Sequence, residues 1–221
     1  MRLLLGEESF PLREEAAGEL FKIEEYVDMV LQYLRTDEQT SDYVLQDCDL
    51  EKLVRGAVRK YAPQFIRKKL KISFQIQPVR VLTDEKWVGF IIGQILSNAL
   101  KYTKRGTISI YQESGNPRRL IIEDTGIGIA PEDLPRVFER GYTGYNGRQD
   151  KRATGIGLYL AKKIADRLNH TIEIQSVQGQ GVRNIFQPVA QTSFPMRGGD
   201  SYKESALRNH QVGRTRVSVV T

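Results

Sequence analysis

The sequence predicts an α+β domain, a two-layer sandwich with helices on one face of a sheet, preceded by one long helix. Strand-like stretches (71–76 and 107–111, which alternate with period two, and the short apolar run 119–123) are interspersed with helix-length stretches (50–69, 85–103, 156–168), without strict alternation of the two. A glycine-rich, irregular region runs from Asp124 to Gly155 between the middle strands and the last helix. At 221 residues, 40% hydrophobic, the chain can build an ordinary core without disulfides or structural metals.

Residues 12–35 read as an amphipathic helix. Leu20, Ile23, Val27, Val30 and Leu34 recur at a 3-4-3-4 spacing, the seam of helices that pack nearly parallel. A core helix of a globular domain fits the same spacing. The polar stretch Thr36–Asp49 is expected to be a linker. Asp49 can cap a helix running from Leu50 to about Lys69, with Leu53, Ala57 and Tyr61 on one face. Residues 71–76 and Val79–Leu82 then predict a short strand pair. Asp84 can cap the helix 85–103. Thr107–Tyr111 and Arg119–Glu123 predict a second strand pair around the Gly115-Asn116-Pro117 turn. A helix of about a dozen residues, Ile156–Leu168, precedes strands near Thr171–Ser176 and Arg183–Gln187. From Gln191 onward no period is sustained, and 191–221 is expected to be an unstructured tail.

The net charge of +6 raises nucleic acid as a partner, but its distribution argues against one. Residues 191–221 hold five basic side chains (Arg197, Lys203, Arg208, Arg214, Arg216) against Asp200 and Glu204, half of the excess. No basic helix with interleaved aromatics is present. The single cysteine, Cys48, cannot form an internal bridge, as fits a reducing compartment. No run approaches the ~20 apolar residues of a membrane-spanning helix.

Three clusters carry chemistry. On the helix 85–103, Gln94, Asn98 and Lys101 fall at i, i+4 and i+7 and share one stripe, with Ile91, Ile92, Ile95, Leu96 and Leu100 expected against the sheet. Alone, that stripe is equally a solvated face. Asp124-Thr125-Gly126-Ile127-Gly128-Ile129 follows a strand, and two glycines after a carboxylate suit a ligand lying against bare backbone, or a plain tight turn. Thr154-Gly155-Ile156-Gly157-Leu158 opens a helix, where backbone amides and the helix dipole favour an anion.

Taken in order and spacing, the three clusters resemble the Bergerat nucleotide fold shared by histidine kinases, gyrase, Hsp90 and MutL. The Gly-x4-Gly-Lys-Ser/Thr loop, the complete Gly-x-Gly-x-x-Gly and the protein-kinase signatures are absent. Val137-Phe138-Glu139-Arg140-Gly141-Tyr142 resembles the phenylalanine box of bacterial sensor histidine kinases. The strings Gln94–Tyr102 and Leu158-Tyr159-Leu160-Ala161-Lys162 are similar to theirs as well. The segment 141–148 is similar to the subgroup that works beside peptide-antibiotic (bacitracin-type) transporters. The resemblance covers roughly residues 10–188.

That resemblance implies ATP and Mg²⁺ as cofactors and a role for each matching residue. Gln94, Asn98 and Lys101 are the implied catalytic group. Asn98 is the implied Mg²⁺ ligand, Lys101 neutralises phosphate charge, and Tyr102 packs beside the nucleotide. Asp124 accepts from the adenine amino group, and Gly126, Gly128 and Ile129 bring backbone against the base. Thr154, Gly155, Ile156, Gly157 and Leu158 meet the phosphates, the second, fourth and fifth of them through backbone amides. Residues 131–154 form a lid anchored by Phe138. Arg148, Lys151 and Arg152 add charge near the γ-phosphate, or are simply a solvated basic loop. Two positions depart from the pattern: Gln94 replaces the usual asparagine, and Val182 replaces the usual threonine after Gly181. An amide is no general base at neutral pH, so the gyrase-type alternative, ATP hydrolysis by activated water, is expected to be slow.

In this family the γ-phosphoryl group goes to a histidine on a dimerising helix, and then to a response regulator. The chain has two histidines, His170 and His210, and neither lies in the family's acceptor box. His170 reads as a surface or helix-cap residue. The expected organisation is therefore a partial dimerisation helix and linker over 1–48, an ATP-binding domain over 49–190, and the tail. The resemblance further implies a homodimer in the intact kinase, a transporter partner, and a cytoplasmic domain whose parent is anchored in the plasma membrane. The expected activity is protein-histidine kinase, without autophosphorylation of this chain; the alternative is an ATP-binding regulatory or dimerisation module. Residues 189–221 have no counterpart in the family pattern, and a frameshift or read-through is their expected origin.

Overall fold

The computed structural model describes residues 9–37, 43–144, 154–188 and 217–219. It divides into two units, Met1–Ser41 and Asp42–Thr221. The first is the helix α1, Ser9–Asp37. The expected helix is there, and most of its seam is exposed: Leu20, Ile23, Val27 and Leu34 show 65%, 59%, 48% and 57% of their surface.

The second unit begins with β1 (Gln46–Asp49), followed by α2 (Leu50–Lys68), β2 (Lys71–Gln75), β3 (Arg80–Thr83) and α3 (Glu85–Tyr102). Then come β4 (Thr107–Glu113), β5 (Asn116–Asp124), a 3-10 turn (Leu134–Arg136), α4 (Gly157–Arg167), β6 (Thr171–Val177), β7 (Gly181–Gln187) and β8 (Val217–Val219). Among the described residues six strands form one sheet in the order β2-β4-β5-β7-β6-β8, and β1 and β3 form a separate pair. The inner pairs are antiparallel, whereas β2 runs parallel to β4 and β8 parallel to β6. Helices α2, α3 and α4 lie side by side, with α3 over β5 and α4 beside β6. This is the mixed α/β Bergerat-type fold that the residue pattern implied, with an N-terminal helical segment.

The caps explain where the helices start. Asp49 accepts from the Glu51 amide at 3.0 Å, and Asp84 accepts from the Trp87 amide at 3.1 Å, each satisfying a first-turn donor that the helix leaves unpaired. The core follows the periodicities. Ile91, Ile92, Ile95, Leu96 and Leu100 of α3 are buried, as are Ile108, Ile110, Leu120 and Ile122 of the sheet, and α3 packs over β5. Each such side chain contributes about 1.5–3 kcal/mol by leaving water, so α3 is held mainly by its apolar face.

Three expectations change. The polar stretch 36–49 contains β1, whose sequence Gln-Asp-Cys-Asp has little strand preference. It is held by its ladder to β3, Gln46 opposite Thr83 through Asp49 opposite Arg80. The strands near 71–76 and 79–82 do not pair with each other: β2 joins β4 and β3 joins β1. Gln77-Pro78 supplies neither residue of a tight hairpin turn, and α3 provides the crossover that a parallel pair needs. The third is His170. It is 3% exposed, its Nε2 lies 2.7 Å from the Thr83 hydroxyl, and its ring meets Phe186 edge-on at 5.6 Å. Asn169, at φ 56°, ends α4 in the left-handed conformation and turns the next residue inward. The tail expected over 191–221 lies outside the described residues, apart from the three-residue strand β8.

Candidate functional site

The site assembles around the end of β5. Asp124 is its last residue, buried in mid-sheet, opposite Ile108 of β4 on one side and Val182 of β7 on the other. Burial raises its carboxyl pKa; the Gly126 amide at 2.8 Å, the Thr103 hydroxyl at 3.3 Å and the Val182 amide oppose that rise by stabilising the charged form. Thr103 was not among the residues that the motifs singled out. It is the fully buried residue that ends α3, immediately after the polar stripe.

The glycines of the following loop are required by the protein's own packing. A Cβ on Gly126 would stand 2.7 Å from Asp124 Oδ1 and 2.7 Å from the Tyr102 carbonyl oxygen. Gly128 has φ +67°, and a Cβ there would come within 2.2 Å of the Val177 carbonyl oxygen. The Ile127 amide donates to the Tyr102 carbonyl at 3.3 Å, which ties this loop to the end of α3. The Ile129 amide donates to Ser176 Oγ at 2.9 Å, and that hydroxyl donates in turn to the Gly181 carbonyl at 2.7 Å. Ser176, a second residue that the motifs missed, so joins the loop to the β6–β7 turn. Its only sequence signal is its place at the end of a period-two run.

On α3, Gln94, Asn98, Lys101 and Tyr102 are half-buried, as one stripe at the edge of the helix layer requires. Lys101 Nζ lies 5.2 Å from the Tyr102 ring centre. The stripe reaches α4 through Gln94, since a Cβ on Gly157 would meet Gln94 Oε1 at 2.2 Å. Asn98 follows Gln94 by one turn. At the start of α4, the N-cap is Ile156, which makes no side-chain capping bond. Both α2 and α3 carry an aspartate there. The first amides of α4 therefore lack the side-chain acceptor that the other two helices have, next to Gly155 and Gly157, where backbone is bare. Thr154 Oγ1 accepts from the Ile156 amide at 3.4 Å, and Leu158 is half-buried in the first turn.

The described part of the predicted lid touches the residue that follows it. The Gly141 amide donates to the Gly155 carbonyl at 3.0 Å, and a Cβ on Gly155 would stand 2.4 Å from the Gly141 carbonyl carbon. The Tyr142 hydroxyl donates to Asp133, while the Arg136 guanidinium lies 4.1 Å from the Tyr142 ring centre. Phe138 is half-buried two residues past the 3-10 turn, and no hydrogen bond or ring contact joins it to the other site residues among those described. Arg148, Lys151 and Arg152 lie outside the described residues. The structure thus brings together Gln94 with Gly157, Tyr102 with Gly126 and Asp124, and Gly155 with the foot of the lid. A deep carboxylate at one end and open helix amides at the other fit a ligand with a donor-bearing ring and an anionic tail.

Residues 83–192 match the family described as histidine kinase-, DNA gyrase B-, and HSP90-like ATPase. The sensor histidine kinase YxdK of Bacillus subtilis is 34% identical over 190 residues, 84% of this chain and 58% of that protein. The sensor protein BceS of the same organism is 33% identical over 187 residues, 80% of this chain and 56% of that protein. The chain therefore spans a little over half the length of these relatives. The structure of the Acinetobacter baumannii histidine kinase AdeS superposes with a TM-score of 0.57 at 21% identity, over 73% of this chain and 76% of that one, a likeness of fold. With the buried aspartate, the glycine loops and the uncapped helix in family order, residues 83–192 form a domain of the histidine kinase-, DNA gyrase B-, and HSP90-like ATPase family, and the chain around it is similar to bacterial sensor histidine kinases.

Proposed function

We propose that this chain is the catalytic portion of a two-component sensor kinase, passing the γ-phosphoryl group of ATP to a histidine outside the chain for relay to a response regulator. The observation that carries the reading is the pairing of a buried, partly satisfied Asp124 carboxylate with the uncapped start of α4. In this reading Asp124 accepts from the adenine amino group, and Gly126, Gly128 and Ile129 present backbone to the base beside Tyr102. Gly155, Gly157 and Leu158 donate amides to the phosphates, flanked by Thr154 and Ile156, and Lys101 offsets their charge. Residues 131–154, with Phe138, exclude water from the transfer.

Mg²⁺, when bound with the nucleotide, neutralises phosphate charge during transfer. Asn98 would hold it. Among the described residues no three His, Cys, Asp or Glu side chains converge; one amide plus substrate phosphates is a donor set suited to this ion. The protein's contribution is then position and charge, with no covalent step of its own. His170 does not serve as the acceptor in this reading, because its ring is buried and engaged with Thr83.

Incubation with γ-labelled ATP and Mg²⁺, with and without an acceptor-bearing helical domain of a sensor kinase, tests this reading. Label on the added domain alone is expected. Label on this chain alone would refute it. A second reading, a non-catalytic ATP-binding module that pairs through α1, draws on the exposed apolar seam of that helix. It predicts tight ATP binding with no label on any partner. A homodimer and a transporter partner in the intact kinase, and its anchorage in the plasma membrane, remain part of the proposal.

A further inference from the structure

Without β8 the sheet would end on one side with β6, and that edge is taken by the chain's own segment Val217–Val219. Val217, Ser218 and Val219 pair in parallel with Ile174, Gln175 and Ser176. An unoccupied edge leaves a row of unpaired amides and carbonyls, and a Val-x-Val segment with β-branched ends suits such a ladder. The seat is close to the site at two points. Ser176, opposite Val219, is the residue whose hydroxyl accepts from the Ile129 amide and donates to the Gly181 carbonyl. On its other flank β8 lies against the 3-10 turn Leu134–Arg136. That turn carries Arg136, stacked on Tyr142, which is bonded to Asp133, while the preceding Gly141 donates to Gly155 at the start of the phosphate loop.

From this arrangement we propose that the β6 edge is a docking strip for the segment Val217–Val219, and that its seating slows nucleotide exchange by pinning the foot of the lid to the sheet. The segment bridges two elements that flank the candidate site, so unseating it frees the turn 134–136 and removes the outer ladder from Ser176. The exchange effect rests on the nucleotide reading above, whereas the docking itself does not.

The full chain carries the test, in three forms: unaltered, Val217→Pro with Val219→Pro, and Ser218→Pro. Alternate residues of a parallel strand carry its ladder bonds, so one of the two proline forms removes the donors whichever set is used. Amide hydrogen exchange reads the docking, and release of a fluorescent ADP analogue reads its consequence. In at least one proline form, loss of protection at 174–176 and at 134–136 is expected, with release about three- to tenfold faster, the scale of one or two hydrogen bonds. A peptide of residues 211–221 added to that form should restore both. Unchanged protection in both proline forms overturns the proposal, as does lost protection with unchanged release. If no form binds the analogue, the nucleotide reading fails and the exchange effect with it; protection then decides the docking strip alone.

Discussion

The Thr103 hydroxyl donates to Asp124 Oδ1 at 3.3 Å, both groups being buried, so the last residue of one element tunes the carboxylate at the end of another. Thr103→Val keeps the shape and removes the donor. The carboxylate then loses one of the few groups that stabilise its charge in a dry site. Nucleotide affinity is expected to fall about three- to tenfold and stability by about 1–3 kcal/mol. Titration calorimetry and denaturant melts check the two effects. A variant that binds nucleotide as tightly as the parent removes Thr103 from the site.

Asp124→Asn separates binding from stability. Burial raises the pKa of this carboxyl, so the folded state holds its proton more tightly than the unfolded chain does. The sign follows: stability is lost as pH rises from the ordinary carboxylate value of 3.8 through the raised one. At neutral pH the charge is therefore a net burden on folding. The amide variant should melt no lower than the parent and yet lose nucleotide, because an amide is a poorer acceptor and also a donor. Retained affinity would assign base recognition to another group.

Two glycines of the site differ in what they will tolerate. At Gly157 the obstacle is Gln94 Oε1, the tip of a flexible side chain. Gly157→Ala should fold almost normally with Gln94 turned aside, and adding Gln94→Ala should relieve most of the remaining cost. At Gly128 the obstacle is the Val177 backbone, and φ is +67°. Gly128→Ala should cost more than about 1 kcal/mol with no second-site relief from Gln94. Thermal melts of the singles and the Gln94/Gly157 double check this; equal losses at the two glycines would contradict the packing described.

His170 gives the acid side of the stability profile its shape. Burial lowers its pKa from 6.5 to about 3, so in that interval the unfolded chain binds a proton that the native state refuses. The neutral ring's contribution is complete above pH 6.5 and is lost progressively as pH falls toward 3. It contributes a slope of up to about 1.4 kcal/mol per pH unit. His170→Gln should flatten the curve between pH 6.5 and 4 relative to the parent, whatever its effect at neutral pH. Parallel curves would show that the ring is not buried as a neutral group.

What the sequence made legible was local. Asp49 and Asp84 announced two helix starts, the α3 stripe separated its apolar and polar faces, and the glycines marked the loops on either side of the site. Pairing partners were not legible, because alternation identifies a strand without naming its neighbour. Thus β2 found β4 across a helix, and Gln-Asp-Cys-Asp became a strand only through β3. Thr103 and Ser176 carry no motif of their own, since each acts through a residue distant in the chain. His170 was half legible: its amide does close the end of α4 on the Ala165 carbonyl at 2.7 Å, but its ring is buried, and the partner Thr83 is 87 residues away where no local pattern points.

Asp124 closes a strand clamped by ladders on both flanks, to β4 and to β7. Amides in such a place open only when the whole domain does. In the proposed nucleotide reading, a partly unfolded form that releases this strand also loses the carboxylate that meets the base, although a side-chain change at Asp124 can still part affinity from stability. The outer strands reach the same place by a lighter hand, through the single hydroxyl of Ser176 on β6, so the middle of the sheet holds the carboxylate still while its rim holds only the neighbouring loop.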